Sequence, residues 1–392
     1  MLNLSEKHVM IQKIAEKIAR EKVAPRAKEI DATGAFPWDL VDIYKKHGFL
    51  YLMLPERFGG LDGDITSLCL VIEELAKVSG AGSLIPLAHN VGLMPFMVAA
   101  NDEQKEYIYS KINDPEKMHL VAFALTEPDA GSDASHMQTN VTKDGEYYYL
   151  NGKKCMITNG ANAQFITVFA TLNVKHRTQA ISAFFIERDY PGVIIGKSED
   201  KLGMRGSDIT EVVFDNVRLT KDNLLGKEGR GWDIAMSTLN LSRPAVGAQA
   251  VGIAQGALDF SVEYAWKRVQ FGQKLADFEG IQFMVADMAT GVEAARALVY
   301  DAAHLLDMKV YTRDKMSAIG VDKLSAMAKM YSADVAMKVT VDAVQILGGC
   351  GYTKEYPVER MMRDAKATQI YEGTNQIQRI VIARDIFRKF MG

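Results

Sequence analysis

Val121-Ala122-Phe123-Ala124-Leu125-Thr126-Glu127-Pro128-Asp129-Ala130-Gly131-Ser132-Asp133 is where the chain changes its period, and the change decides the fold. An apolar run followed by a segment bearing Pro and Gly reads as a buried strand that ends near Leu125 and opens into a loop. Before it, residues 1–118 place apolar side chains three and four apart, as in Ile11, Ile14, Ala15, Ile18 and Ala19, and again in Leu68, Val71, Ile72, Leu75 and Val78. That spacing predicts a layer of amphipathic helices. After it, β-rich runs continue to about residue 235, at Tyr147 to Leu150, Phe165 to Ala170, Ile181 to Ile186 and Val212 to Phe214, separated by Asn-Gly, Asp-Gly and Pro-Gly turns. Helical periodicity then returns through Ala250 to Trp266, Ile281 to Leu306, Val321 to Leu347 and a final helix. The expectation is an α+β protein in three parts: an all-α domain over 1–118, a β-domain over 119–235 and a helical domain over 236–392.

This order excludes a doubly wound nucleotide fold, which alternates strands and helices and carries its Gly fingerprint in the first turn. Gly226-Lys227-Glu228-Gly229-Arg230-Gly231 has the wrong spacing for that fingerprint and reads as a plain turn. The chain has 392 residues, 48% of them hydrophobic, enough for a large core or several packed sub-domains. Its 46 Lys and Arg against 49 Asp and Glu give a net charge of −3, so no global basic footprint points to nucleic acid or an anionic membrane. Cys69, Cys155 and Cys350 are far apart and form no metal or disulfide framework, and no metal site is expected. The N-terminus lacks a basic stretch before an apolar core, and no uninterrupted apolar run of membrane-spanning length occurs. A cytoplasmic protein without a targeting segment is expected.

Five stretches carry chemistry. Near the C-terminus, Tyr371-Glu372-Gly373-Thr374-Asn375-Gln376 sets one carboxylate in a glycine-containing turn ahead of an amphipathic helix that Thr374 or Asn375 caps. Taken alone, Glu372 reads as a capping residue, because free helix N–H groups stabilise its anion. As a base it needs an apolar lid or a bound substrate to raise its pKa. Thr126 to Asp133 is a loop whose hydroxyls and backbone amides suit a polar ring edge or a pyrophosphate. Lys154-Cys155-Met156-Ile157-Thr158-Asn159-Gly160 ends another strand with a second hydroxyl, and two such strand ends suit a flat heteroaromatic cofactor. Arg268-Val269-Gln270-Phe271-Gly272 pairs a cation with an aromatic, and Gln345-Ile346-Leu347-Gly348-Gly349 reads as a helix end with free amides.

In this order and spacing, together with Met204-Arg205-Gly206-Ser207 and Asn223 to Gly229, the stretches closely resemble the acyl-CoA dehydrogenase family over nearly the whole chain. The resemblance implies three domains, with a β-barrel-like middle domain and a C-terminal four-helix bundle. It implies FAD-dependent α,β-dehydrogenation of an acyl-CoA thioester to the 2-enoyl-CoA, with Glu372 taking the α-proton and the β-hydride passing to flavin N5. Run in reverse, the same chemistry is an enoyl-CoA reductase. Some branches carry the base just before an Arg on the helix after the β-domain. That position is Ser242 here, ahead of Arg243, so Glu372 keeps the role.

For FAD the resemblance assigns Phe123, Leu125, Thr126, Gly131, Ser132, Met156, Thr158, Thr374 and Gln376, with Arg268, Phe271, Gln345 and Gly349 supplied by a neighbouring subunit. A shared cofactor implies a homo-oligomer, commonly a tetramer. For the substrate it assigns Ser132, Asn240, Arg243, Gly373 and an apolar end wall of Leu84, Leu87 and Ala88. Gly82 stands where glutaryl-acting branches carry an Arg, so a dicarboxylyl substrate lacks its counter-ion. His89 reads as a structural core histidine rather than a second base. The family usually has Trp where this chain has Met156, a departure that bears on flavin shielding and on the expected electron partner, electron-transfer flavoprotein. The acyl group stays open. Alternative readings are an acyl-CoA oxidase or flavin monooxygenase on the same scaffold and, from another class, a DNA-associated flavoprotein.

Overall fold

The computed structural model describes residues 4–114, 119–312 and 321–390. The expected boundary after residue 118 and the first three residues of the N-terminal segment lie outside them. The N-terminal layer comprises α1 (Glu6–Ile18), α2 (Ala27–Thr33), α3 (Trp38–Lys46), α4 (Ile65–Ala76), α5 (Gly80–Ala99) and α6 (Asp102–Ile112). Four of these begin on a polar side chain that accepts a first-turn N–H: Ser5 for α1, Asp64 for α4, Ser79 for α5 and Asn101 for α6. Helix α4 is buried along its whole length, and its Glu73 is answered by Arg296 Nε and the Tyr300 hydroxyl, each at 2.9 Å.

Helix α5 runs through Pro86 without ending. The proline has no N–H for the Gly82 carbonyl four residues earlier, and the buried Tyr44 hydroxyl donates to that carbonyl at 3.1 Å instead. By length and hydropathy α5 could cross a membrane. Its most apolar 18-residue window is 83% buried inside the protein, so α5 is a core helix.

The β-domain is one eight-stranded sheet: β1 (Leu120–Ala124), β2 (Asn140–Asp144), β3 (Tyr147–Thr158), β4 (Ala163–Thr171), β5 (Ile181–Glu187), β6 (Val193–Ser198), β7 (Ile209–Leu219) and β8 (Leu224–Leu225). The order is β6-β7-β3-β2-β4-β5-β8, with β1 parallel to β4 and the long pairs β3/β7 and β4/β5 antiparallel. The sequence runs mark β1, β3, β4, β5 and β7. Strand β2, between β3 and β4, and the outer strand β6 are short and together hold one buried residue, Val141; β2 has no other apolar residue, and the apolar run of β6 is only Val193 to Ile195.

The glycines of the 226–231 turn serve packing, as the plain-turn reading expects. A Cβ on Gly231 meets the Ser182 backbone at 2.4 Å, and Gly229 N–H donates to Ser182 Oγ at 2.9 Å.

The C-terminal domain holds α7 (Gly231–Lys267), the hairpin β9 (Val269–Gln270) and β10 (Gln273–Lys274), α8 (Glu279–Thr312), α9 (Val321–Leu347), α10 (Val358–Thr368) and α11 (Asn375–Phe387). Helix α7 is the common wall: it packs on α4 and α5 on one side and on α8, α9 and α10 on the other. Helices α10 and α11 both pack on α9, and the chain between them, 369–374, carries Glu372.

Candidate active site

Glu372 and Gly373 both adopt left-handed backbone, φ +56° and +86°. A non-glycine residue in that region is strained and persists only where its surroundings hold it. Gln378 Nε2 donates to the Glu372 carbonyl at 3.1 Å and to the Gly373 carbonyl at 2.9 Å. Thr374 Oγ1 caps α11 by accepting from the Ile377 N–H at 3.3 Å. Thr374 therefore takes the cap, and Glu372 is left one turn outside the helix with its side chain directed elsewhere.

That side chain reaches α7, where Ser242 Oγ donates to Glu372 Oε2 at 3.0 Å. Burial pushes the Glu372 carboxyl above its ordinary range, against the opposing pull of Ser242, Arg243 and Lys329. This is the raised-pKa condition a working base needs. The backbone N–H of Glu372 donates to no group among the described residues, so a donor stands free beside the carboxylate. Arg243 is buried and faces both Glu372 and Asp322. Its guanidinium donates to Asn240 Oδ1, and Asn240 Nδ2 donates to Asp322 Oδ1 at 2.7 Å.

Behind the base, the Tyr371 hydroxyl donates to Gln249 Oε1, and Gln249 Nε2 donates to the Gly80 carbonyl at 3.1 Å and to Ser83 Oγ at 2.9 Å. This buried polar bridge ties the 369–374 turn, α7 and the first turn of α5. Leu84 and Leu87 are buried in the core of α5 and Ala88 is half-buried, while Ser83 is the α5 side chain that reaches the bridge. His89 is fully buried, accepts from the Val121 N–H through Nδ1 at 3.2 Å and is held neutral, its pKa pushed to about 3 by burial. It is a core residue, as expected.

Two strand ends meet as the sequence reading requires. Cys155 N–H donates to the Thr126 carbonyl at 3.0 Å, which sets the loop after β1 against the end of β3. Here β3 slips register against β7 between Lys154 and Ile157, and Met156 sits at φ +56° with its thioether exposed. The bulge turns Met156 outward beside Thr158. Under the loop, Lys154 Nζ donates to Glu127 Oε1 at 2.8 Å and to the Leu125 carbonyl at 2.9 Å, and Glu127 also accepts the N–H groups of Gln138 and Thr139. Both side chains are buried. Burial alone would raise the Glu127 pKa, but Lys154 and these donors bring it below its ordinary value, while burial lowers Lys154 to about 8.

The loop so anchored leaves the backbone N–H groups of Gly131, Ser132 and Asp133 without partners among the described residues, and no atom stands within 4 Å of a Cβ built on Gly131. Three successive free amides suit a pyrophosphate, and the apolar surface of Phe123, Leu125 and Met156 with the Thr126 and Thr158 hydroxyls suits a flavin ring, so the residues present fit FAD.

The structure does not bring every expected cofactor residue to this shelf. Arg268, Phe271, Gln345 and Gly349 gather at another end of the C-terminal helices, where Arg268 faces Cys350. Phe271, at φ +52° on the β9–β10 turn, is 95% exposed. Gln376 is exposed on the first turn of α11. Sequence reasoning missed Gln249, Lys329 and Gln378 as neighbours of the base. Gln378 alone had a local signal, lying one helical turn beyond the capping Thr374.

Comparison with known proteins identifies the family. Residues 5–116, 122–217 and 229–387 match the N-terminal, middle and C-terminal domains of acyl-CoA dehydrogenase. The chain is 44% identical over 385 residues to an acyl-CoA dehydrogenase of Bacillus subtilis, covering 98% of both chains. It is also 44% identical to the cyclohex-1-ene-1-carbonyl-CoA dehydrogenase of Geobacter metallireducens, covering 98% of this chain and 99% of that one. Among solved structures, butyryl-CoA dehydrogenase from Megasphaera elsdenii superposes with a TM-score of 0.92 at 41% identity, over 99% of this chain and 100% of that one. A chain from a study of the electron transferring flavoprotein of Acidaminococcus fermentans superposes with a TM-score of 0.92 at 44% identity, over 99% of this chain and 100% of that one. The chain belongs to the acyl-CoA dehydrogenase family, FAD-dependent oxidoreductases of acyl-CoA thioesters.

Proposed function

We propose that Glu372 is the base that removes the α-proton of a short acyl-CoA thioester. The carrying observation is the Ser242–Glu372 contact: a carboxylate on a strained turn, its pKa raised by burial, held by one hydroxyl and flanked by an unpartnered backbone N–H. An α-proton of a thioester is a weak acid, and its removal requires stabilisation of the charge growing on the thioester oxygen. The Glu372 N–H is the protein donor suited to that oxygen. FAD, when bound, supplies the acceptor for the β-hydrogen and its electron pair. Phe123, Leu125, Thr126, Met156 and Thr158 would hold its ring system, and the free amides of Gly131 and Ser132 its pyrophosphate.

The polar bridge from Tyr371 through Gln249 to Ser83 supports the substrate class. It begins one residue from the base, and a long acyl chain continuing inward has to break bonds that are all satisfied. A dicarboxylyl group is disfavoured, because a Cβ on Gly82 already meets Val23 Cγ1 at 2.9 Å and leaves no room for an Arg. The reading divides the chain near residues 118 and 235, and includes electron-transfer flavoprotein as partner, supported by the Acidaminococcus likeness, and a homotetramer. Exposed apolar side chains of the C-terminal domain, such as Phe271 on the β9–β10 turn and Tyr352 after α9, support an assembly. Three free cysteines are compatible with a reducing cytoplasm.

The test is anaerobic titration of the oxidised, FAD-loaded enzyme with straight, branched, cyclic and aromatic acyl-CoA thioesters, following loss of flavin absorbance. Short straight-chain thioesters should bleach the flavin, and Glu372→Gln should keep FAD and bind ligand without bleaching. Bleaching at the normal rate in that variant would sink the assignment. Fast reoxidation of the reduced enzyme by air would instead favour an oxidase.

A further inference from the structure

A second buried cation stands beside Glu372. Lys329, in the middle of α9, is fully buried, and its Nζ donates to the Gly373 carbonyl at 2.8 Å and to Asn375 Oδ1 at 3.0 Å. An ammonium taken out of water is costly unless it is paired and hydrogen-bonded. The partners of this one are parts of the turn on which Glu372 stands. Asn375 carries the connection back to α9, donating to the Met330 carbonyl at 3.1 Å and to Asp334 Oδ1 at 2.8 Å. From α11, Gln378 donates to the Gly373 carbonyl as well and to that of Glu372. Two successive left-handed residues are thereby clamped between α9 and α11.

We propose that Lys329 is a positioning residue for the proton-transfer step: its ammonium fixes the Glu372-Gly373 turn through the Gly373 carbonyl and Asn375, and its charge favours the ionised carboxylate. The proposal rests on the assignment of Glu372 as base. Charged groups surround this pair from each packed element. Arg243 faces it from α7 with Asp322 beyond, Asp334 lies on α9 paired to Arg379 of α11, and Asp364 of α10 faces Tyr371. Helix α5 contributes no carboxylate, Lys or Arg.

Burial and the repulsion of Arg243 act against the attraction of Glu372 and Asp334 and push Lys329 down to about 7. Lys329 is therefore charged on the acid side of neutrality, where protonation of Glu372 limits the reaction. There its positive charge lowers the pKa of Glu372, and removing it moves the acid limb of the reaction to higher pH.

The experiment measures anaerobic flavin bleaching by butyryl-CoA, from about pH 5 to about pH 8.5, in FAD-loaded wild type, Lys329→Met and Lys329→Gln. Both neutral variants should shift the acid limb upward by about one pH unit, seen as a roughly tenfold lower rate at a fixed acid pH. The plateau should fall further in Lys329→Met, which has no donor for the Gly373 carbonyl, than in Lys329→Gln. Proton uptake on binding a redox-inert acyl-CoA analogue reports the same ionisation without turnover. If Lys329→Met does not fold, Lys329→Gln carries the readout.

A lysine that only supports the fold lowers the yield of loaded enzyme and leaves the limb in place, and an unmoved limb overturns the proposal. Bleaching by Glu372→Gln would instead remove the base assignment itself. Loss of bleaching in Glu372→Gln with an unmoved limb in the Lys329 variants removes only the role of Lys329.

Discussion

Ser242 Oγ on α7 donates to Glu372 Oε2 at 3.0 Å, so two residues 130 positions apart in the chain meet as donor and acceptor. The hydroxyl lowers the pKa that burial raises. Ser242→Ala removes that bond, and the Glu372 pKa should rise. The acid limb of flavin bleaching should then shift upward by about half to one unit, worth ~1 kcal/mol, with the high-pH plateau little changed. Stopped-flow rates across the acid range check it, and an unmoved limb would show that the serine does not tune the base.

Gln249→Ala removes the centre of the bridge between Tyr371 and Ser83. The inner end of the slot opens, so the ratio of kcat/KM for octanoyl-CoA over butyryl-CoA should rise by about tenfold, within what a few methylenes contribute in an apolar pocket. Stranding the Tyr371 hydroxyl should also cost about 1–3 kcal/mol of stability. A longer-chain preference that stays as in the wild type would place the end of the slot elsewhere.

The Lys154–Glu127 pair underlies the whole loop from Thr126 to Gln138. Glu127→Ala leaves a buried ammonium and two backbone N–H groups without their acceptor. Breaking a buried pair from one side typically costs about 3–5 kcal/mol. The expected result is a lower Tm together with loss of FAD on gel filtration, measured as the ratio of flavin absorbance to protein. Full FAD retention would mean that the loop keeps its shape without the pair.

Asp364 is buried on α10, accepts from the Met204 N–H and has its pKa pushed up to about 6 by burial. A carboxyl whose folded pKa is raised favours the folded state while protonated, so its contribution is full below its unfolded pKa and is lost as pH rises through about 6. Asp364→Asn mimics the protonated form and keeps an acceptor for Met204. It should raise Tm at pH 8, by up to ~3 kcal/mol in stability, and change little near pH 4. Thermal unfolding at the two pH values checks the sign, and destabilisation at pH 8 would contradict it.

The sequence by itself determined the α, β, α order, because a core-facing helix and a buried strand must repeat apolar residues at different periods, and that repetition is local. It also determined the boundaries of α9 and the two strand ends at Thr126 and Thr158, whose turn residues lie beside them in the chain, and it narrowed the cap on α11 to Thr374 or Asn375, between which the structure selects Thr374. It did not show β2 and β6, short strands with almost nothing buried, or the bulge that turns Met156 outward, because a register slip belongs to the pairing of β3 with β7 and to neither strand alone.

Tertiary structure alone decided what surrounds the Glu372 carboxylate once Thr374 takes the helix cap. The Ser242 hydroxyl and Arg243 guanidinium come from α7 and the Lys329 ammonium from α9, two segments far from Glu372 in the chain. The pKa of a carboxylate depends on what stands within a few ångströms of it and on how much water is excluded, and neither quantity is written in the nearest ten residues.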